Sequence, residues 1–171
     1  EYNIPATFAF VGALTETREE FLDVALPALA SESFSRWLNY SKYRITDKAE
    51  EGWFLPELLG MVKDRQIHEI ATHSYTHIPF DMLETDDALV ELNLVKYWAE
   101  KNNIDCKTIV YPRNIIRHKC LLEHFGIFGY RDSPEDILPK WFHKVIKTLA
   151  EEIWILKKAQ RIEKFDKFRI P

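Results

Sequence analysis

The 171-residue sequence predicts an α/β protein whose strands form a mainly parallel sheet, open or curled into a barrel. Three observations carry that expectation. The chain opens on a continuous apolar run closed by glycine, IPATFAFVG (Ile4–Gly12), with the content of a strand buried on both faces of a parallel sheet. Short runs of strand character recur at Ile67–Thr72, Lys107–Tyr111 and Ile127–Tyr130. Segments with helical spacing of apolar residues separate them, as βαβ crossovers require.

Each element has a local reason. Only three residues precede Ile4, and a buried strand so close to an end implies further sequence upstream of Glu1. From Thr17 to Ala30, acidic residues occupy the first turn of a helical pattern that Pro27 ends or kinks. The stretch 31–52 is polar with interspersed aromatics, and its weak periodicity predicts no more than short helical turns. Residues 53–65 resume helical spacing and lead into the Ile67–Thr72 strand. Thr85 is placed to cap a helix with Asp86 and Asp87 in its first turn and the stripe Ala88, Leu92, Val95, Ala99. Lys107–Tyr111 is a strand stopped by Pro112. Arg117–Phe125 is a helix with Gly126 as its left-handed cap, and Ile127–Tyr130 is the next strand. A helix over Val145–Arg161 closes the chain, with Val145, Leu149, Ile153 and Leu156 on one face.

Composition narrows the functional classes. With 46% hydrophobic and 29% charged residues, the chain is long enough for one domain with a core and too short for two ordinary ones. A formal charge of −4, with Lys and Arg scattered, argues against nucleic acid as a partner. No apolar run approaches the roughly 18 residues that span a bilayer, and no signal peptide is visible, so the chain reads as soluble and without an integral membrane segment. Cys106 and Cys120 have no metal-like spacing and read as two reduced thiols.

The histidines are the chemically suggestive feature. Residues 68–77 read HEIATHSYTH and hold three of the six histidines. Two imidazoles share a metal only if their nitrogens converge. Along an extended strand, positions four apart are separated by about 13 Å. A helical turn brings them to about 6 Å along the axis. Metal ligation by His73 and His77 therefore predicts a strand ending near Thr72, with Ser74–Thr76 bent into a turn, to which Ser and Thr hydroxyls are suited. His68 is five residues from His73, not the four of a zinc-peptidase helix, so His68 and Glu69 are expected along the strand with structural hydrogen bonds.

With those residues in view, the chain resembles the polysaccharide deacetylase family, carbohydrate esterase family 4. That family's metal motif is His-Ser/Thr-x-x-His after a strand reading like GHEIGSH. IPATFAFVG resembles the family's IPATFFVVG strand, and Glu1-Tyr2-Asn3 resembles the end of the helix before it. VYPRN (Val110–Asn114) and FGIFGYRD (Phe125–Asp132) resemble the third motif and the following strand, in a branch that reads Phe-Pro-Arg-Asn. The resemblance runs in order over roughly residues 1–132.

It implies a distorted (β/α) barrel lacking its first strand, in a single domain over 1–171 that is incomplete at the N-terminus. It also implies removal of N-acetyl groups from an acetamido sugar in a polysaccharide or glycoconjugate, with one divalent metal ion, zinc being favoured. Residue by residue, His73 and His77 become metal ligands and Tyr111, Pro112, Arg113 and Asn114 border the carbohydrate substrate. His143, in Trp141-Phe142-His143, becomes the general acid. Arg113 does not align with the family's usual arginine. The family's Thr-Phe-Asp-Asp motif, source of the third ligand and the base, falls upstream of Glu1; Asp81 is a distant substitute. Near Pro139–Val145 the chain is shorter than its apparent relatives.

Tyr75, Tyr111 and Trp141 are further candidates, as stacking surfaces for sugar rings or as core. The alternative function is a catalytically inactive carbohydrate-binding or interaction domain on the same scaffold, motivated by the missing aspartates.

Overall fold

Four strands join in chain order as one parallel sheet: β1 (Thr7–Phe10), β2 (Glu69–Thr72), β3 (Thr108–Ile109) and β4 (Gly129–Tyr130). They belong to a computed structural model that describes residues 3–40 and 54–131. The register pairs Thr7 with Glu69, Thr72 with Ile109 and Ile109 with Tyr130. The expected mixed α/β architecture with a parallel sheet is thus present. The Val145–Arg161 helix, Trp141 and His143 lie outside the described residues.

Strands and helices depart from expectation in specific ways. β1 is shorter than Ile4–Gly12 and is not buried on both faces: Ile4 is 69% and Phe8 40% exposed. β1 pairs only with β2 among the described strands, so its other edge has no covering neighbour there. Thr17 starts the first helical run with a reciprocal capping box, its hydroxyl accepting from the Glu20 N–H at 3.2 Å while Glu20 accepts from the Thr17 N–H at 3.1 Å. The run widens into a π-helical stretch over Phe21–Ala25 before ending at Ala28. That widening lies just ahead of Pro27, whose ring and missing N–H prevent regular i→i−4 bonding.

Glu32–Tyr40 forms a nine-residue helix where only short turns were expected. Phe34, Trp37 and Leu38 share one helical face, and burial of Phe34 and Leu38 stabilises what the polar residues around them obscure. A helix over Pro56–Lys63 follows, with proline in its first turn. The Thr85–Lys101 helix buries the whole predicted stripe, but Glu84, not Thr85, is its N-cap. Lys119–Phe125 winds as a 3₁₀ helix and ends on Gly126 at φ 73°, the expected left-handed cap.

The core gathers Phe21, Phe34, Tyr75, Phe80, Leu92, Trp98, Ile109 and Tyr111, all within 1% of complete burial. Some of its polar groups are paired, while the Tyr111 and Thr72 hydroxyls are buried with no hydrogen-bond partner among the described residues. The Trp98 indole N–H donates to the Thr15 hydroxyl at 2.7 Å, which donates to the Gly12 carbonyl at 2.9 Å. At the opposite end of the strands from the histidine turn, Glu69 accepts a hydroxyl from Thr7 with one oxygen and from Thr108 with the other, each at 2.6 Å. One carboxylate thereby ties β1, β2 and β3 together, and the two hydroxyls, Thr108 first, hold its pKa below the usual carboxylate value. His68 instead packs edge-on to Phe8 at 5.0 Å, with no partner for Nδ1 among the described residues.

Candidate metal centre

β2 ends at Thr72, where the metal reading required. The His73 N–H still donates to the Phe10 carbonyl at 2.6 Å, and the Val110 N–H donates to the Thr72 carbonyl at 2.8 Å, so the strand is held from both sides up to its last residue. Ser74 then adopts φ 64° and His77 φ 63°. These left-handed residues bracket a turn that brings the imidazoles together, with ring centroids 4.8 Å apart and Nε2 atoms 3.1 Å apart.

The chemistry of the pair suits a metal. The His73 Nδ1–H donates to the Val110 carbonyl at 2.7 Å, which fixes the ring and leaves Nε2 with its lone pair. Two nitrogens bound to one tetrahedral zinc at 2.0–2.1 Å lie about 3.4 Å apart. The observed separation needs only a small opening to admit the ion. His77 is kept below the ordinary imidazole pKa by lost hydration first, then by the charges of His73 and Arg113, which favours the neutral form a ligand must have.

Two supports shape the turn, and neither is evident from the motif. From the strand side, the Gly12 N–H donates to the Ser74 carbonyl at 3.1 Å and the Ala13 N–H to the Tyr75 carbonyl at 3.0 Å. Only glycine allows this approach, because a β-carbon at position 12 would lie 2.7 Å from Tyr75 Cδ2. From the helix side, Glu91 is fully buried and accepts the Tyr75 and Thr76 N–H groups on one oxygen, both at 2.7 Å. Its other oxygen accepts the Thr76 hydroxyl at 3.1 Å. Burial pushes the Glu91 carboxyl up to about 7, against the opposing pull of these hydrogen bonds.

Sequence reasoning missed Glu91, although it lies three residues after Ala88 and next to Leu92, within the buried helical face. A carboxylate inside an apolar stripe was the available signal. Glu16 was also missed. It is 2% exposed and accepts the Tyr75 hydroxyl at 2.5 Å, with Lys101 at 3.4 Å from its other oxygen. Burial, then Glu16, pushes the Tyr75 hydroxyl far above its ordinary pKa, so it remains a hydrogen-bond donor.

The remaining candidates are distributed as follows. Tyr75 and Tyr111 are buried to 0% and 1%, with Tyr111 edge-on to Phe80 and Tyr130, so neither ring presents a stacking face to a sugar. Pro112 is buried beneath a turn whose tip, Arg113 and Asn114, is exposed. Arg113 stacks over Trp37 at 5.7 Å, and Trp37 lies 6.4 Å from the His77 ring, so the loop after Tyr111 does border the histidine pair. Asp81 is exposed on a 3₁₀ turn, Phe80–Met82, whose Phe80 is buried in the core. Among the described residues no third His, Cys, Asp or Glu joins His73 and His77 as a metal group. No described helix is long and apolar enough to cross a membrane, and both cysteines are free. Comparison with protein-family models, with curated proteins and with solved structures finds no match to this chain.

Proposed function

We propose that this chain carries the metal site of a carbohydrate N-deacetylase of the polysaccharide deacetylase type, on a sheet that forms part of a distorted (β/α) barrel. The observation that carries the reading is the convergence of two imidazole Nε2 atoms at 3.1 Å, with His73 held by the Val110 carbonyl through its other nitrogen. A divalent ion there, zinc being favoured, supplies Lewis acidity for amide hydrolysis. His73 and His77 hold the ion. Val110 orients one ligand, and Glu91 with Gly12 sets the turn that carries the other. In this reading Arg113 and Asn114 face the carbohydrate, and His143 protonates the departing amine.

Zinc binding by the full chain is the test, with stoichiometry taken from equilibrium dialysis. One ion per chain is expected, with affinity reduced at least about tenfold by His73→Ala or His77→Ala, the scale on which metal sites respond to lost support. Unchanged zinc binding in both variants overturns the site. Acetate release from N-acetylated sugar oligomers then separates the enzyme from a non-catalytic carbohydrate-binding domain, which binds the oligomers without releasing acetate.

A further inference from the structure

The rim of the histidine turn holds a feature that N-deacetylation does not call for. Arg113 is exposed at the tip of the Pro112–Asn114 turn, and among the described residues no carboxylate pairs with it. Its placement is nonetheless specified. Arg113 and the following Asn114 both sit in the left-handed region, at φ 57° and 56°, and the turn is closed by the Asn114 N–H to the Tyr111 carbonyl at 3.0 Å. Two consecutive non-glycine residues in that region are strained, and persist only where the surrounding structure holds them. The buried Tyr111 and Pro112 anchor the base of the turn, so that only its tip reaches solvent.

The guanidinium lies over the Trp37 ring at 5.7 Å. Trp37 is itself tied to the histidine turn, its indole N–H donating to the Thr76 carbonyl at 3.1 Å. Trp37 in turn lies 6.4 Å from the His77 ring, which places Arg113 at the edge of the histidine pair. A guanidinium held over an aromatic ring and unpaired with a carboxylate keeps N–H donors free for a planar or tetrahedral oxyanion, and restricting a long side chain beforehand reduces the entropy lost on binding. A neutral acetamido sugar can accept hydrogen bonds from it but does not balance its charge. An anionic one does.

We propose that the site beside His73 and His77 takes a ligand bearing a carboxylate or a phosphate, received by Arg113 on its Trp37 platform. The substrate class is thus an acidic sugar or a phosphorylated glycoconjugate. The proposal rests on the deacetylase reading only for calling that ligand a substrate.

The test uses metal-free full chain, so that it does not depend on zinc. Calorimetric titrations compare methyl glucuronide, methyl glucoside and inorganic phosphate at fixed ionic strength. Methyl glucuronide or phosphate is expected to bind at least about tenfold tighter than the glucoside, and whichever of the two prevails identifies the anion. Arg113→Gln should erase the preference, and Arg113→Lys should keep only part of it, because lysine lacks the two-pronged edge. Thermal melts of both variants check that the fold is retained. Equal binding of glucuronide and glucoside without phosphate binding, or an anion preference that survives Arg113→Gln, overturns the proposal. An Arg113-dependent preference in a protein whose zinc binding ignores His73 and His77 overturns the deacetylase reading alone.

Discussion

Replacing Glu91 tests whether one buried carboxylate holds the histidine turn. Glu91→Leu removes the acceptor for two backbone N–H groups and a hydroxyl in the interior. Each orphaned buried amide costs about 1–3 kcal/mol, and part of that is offset because leucine needs no desolvation of a carboxyl. A net loss of about 2–4 kcal/mol is expected from urea unfolding at pH 8. Glu91→Gln keeps a carbonyl oxygen for both amides and should stay within about 1 kcal/mol of wild type at pH 5.

The pH dependence of the same group gives a second, independent measurement. Burial raises the carboxyl from 4.5 to about 7, so between those values the folded state binds the proton that the unfolded state has lost. Stability from this group is therefore complete below pH 4.5 and is lost as pH rises towards 7. Integrated between pH 5 and pH 8, the loss is about 2.5 kcal/mol. Glutamine does not titrate, so from pH 5 to pH 8 Glu91→Gln should gain that amount of stability relative to wild type. Parallel stability curves for the two proteins, or a Glu91→Leu variant as stable as wild type, would refute the reasoning.

Other substitutions probe the supports around the turn. Gly12→Ala drives a methyl group to within 2.7 Å of Tyr75 and 3.3 Å of Trp98, both fully buried in the core, and should destabilise by about 1–3 kcal/mol, seen as a lower melting temperature. An unshifted melt would mean that the turn can move away from β1. Lys101 contacts buried Glu16 at 3.4 Å and half-exposed Glu20 at 2.7 Å, so Lys101→Met should cost about 1–2 kcal/mol, discounted for solvent screening. Added salt should weaken wild type more than this variant, and equal salt responses would show that the ion pairs contribute little. Cys106 is half-buried, and the lost hydration raises its thiol to about 11, whereas Cys120 is exposed. Iodoacetamide at pH 8 should therefore modify Cys120 first, and mass spectrometry showing Cys106 labelled at the same rate would contradict the packing.

What was legible in the sequence follows from geometry that admits few solutions. Strand rise alone excludes a shared ligand between extended His73 and His77, so the turn at Ser74–Thr76 is required as soon as the pair is read as ligands. The Ala88–Ala99 stripe is equally constrained, because its period permits one face. Glu91 is illegible for the opposite reason. An acid on a helix is ordinarily solvated, and only the three-dimensional position of the Tyr75 and Thr76 amides makes its burial favourable. Trp37 belongs to a segment whose serines and charged residues dilute the helical period, so both its helix and its contact with the histidine turn emerge only on folding. β1 reads as doubly buried because apolar content reports what a strand tolerates, not which neighbours cover it.

If His73 and His77 bind a metal as proposed, holding the Ser74–Thr76 turn from both the Gly12 side and the Glu91 side has a consequence for how the ion would be exchanged. In small zinc domains the ion assembles its own ligands, so a chelator unfolds the protein. Here the imidazoles are brought into position by hydrogen bonds that belong to the core. Ion capture and folding are then separate equilibria, and a chelator should empty the site while leaving the melting transition cooperative. On the proposed metal reading, such a protein would lose and regain an ion repeatedly without passing through an unfolded state.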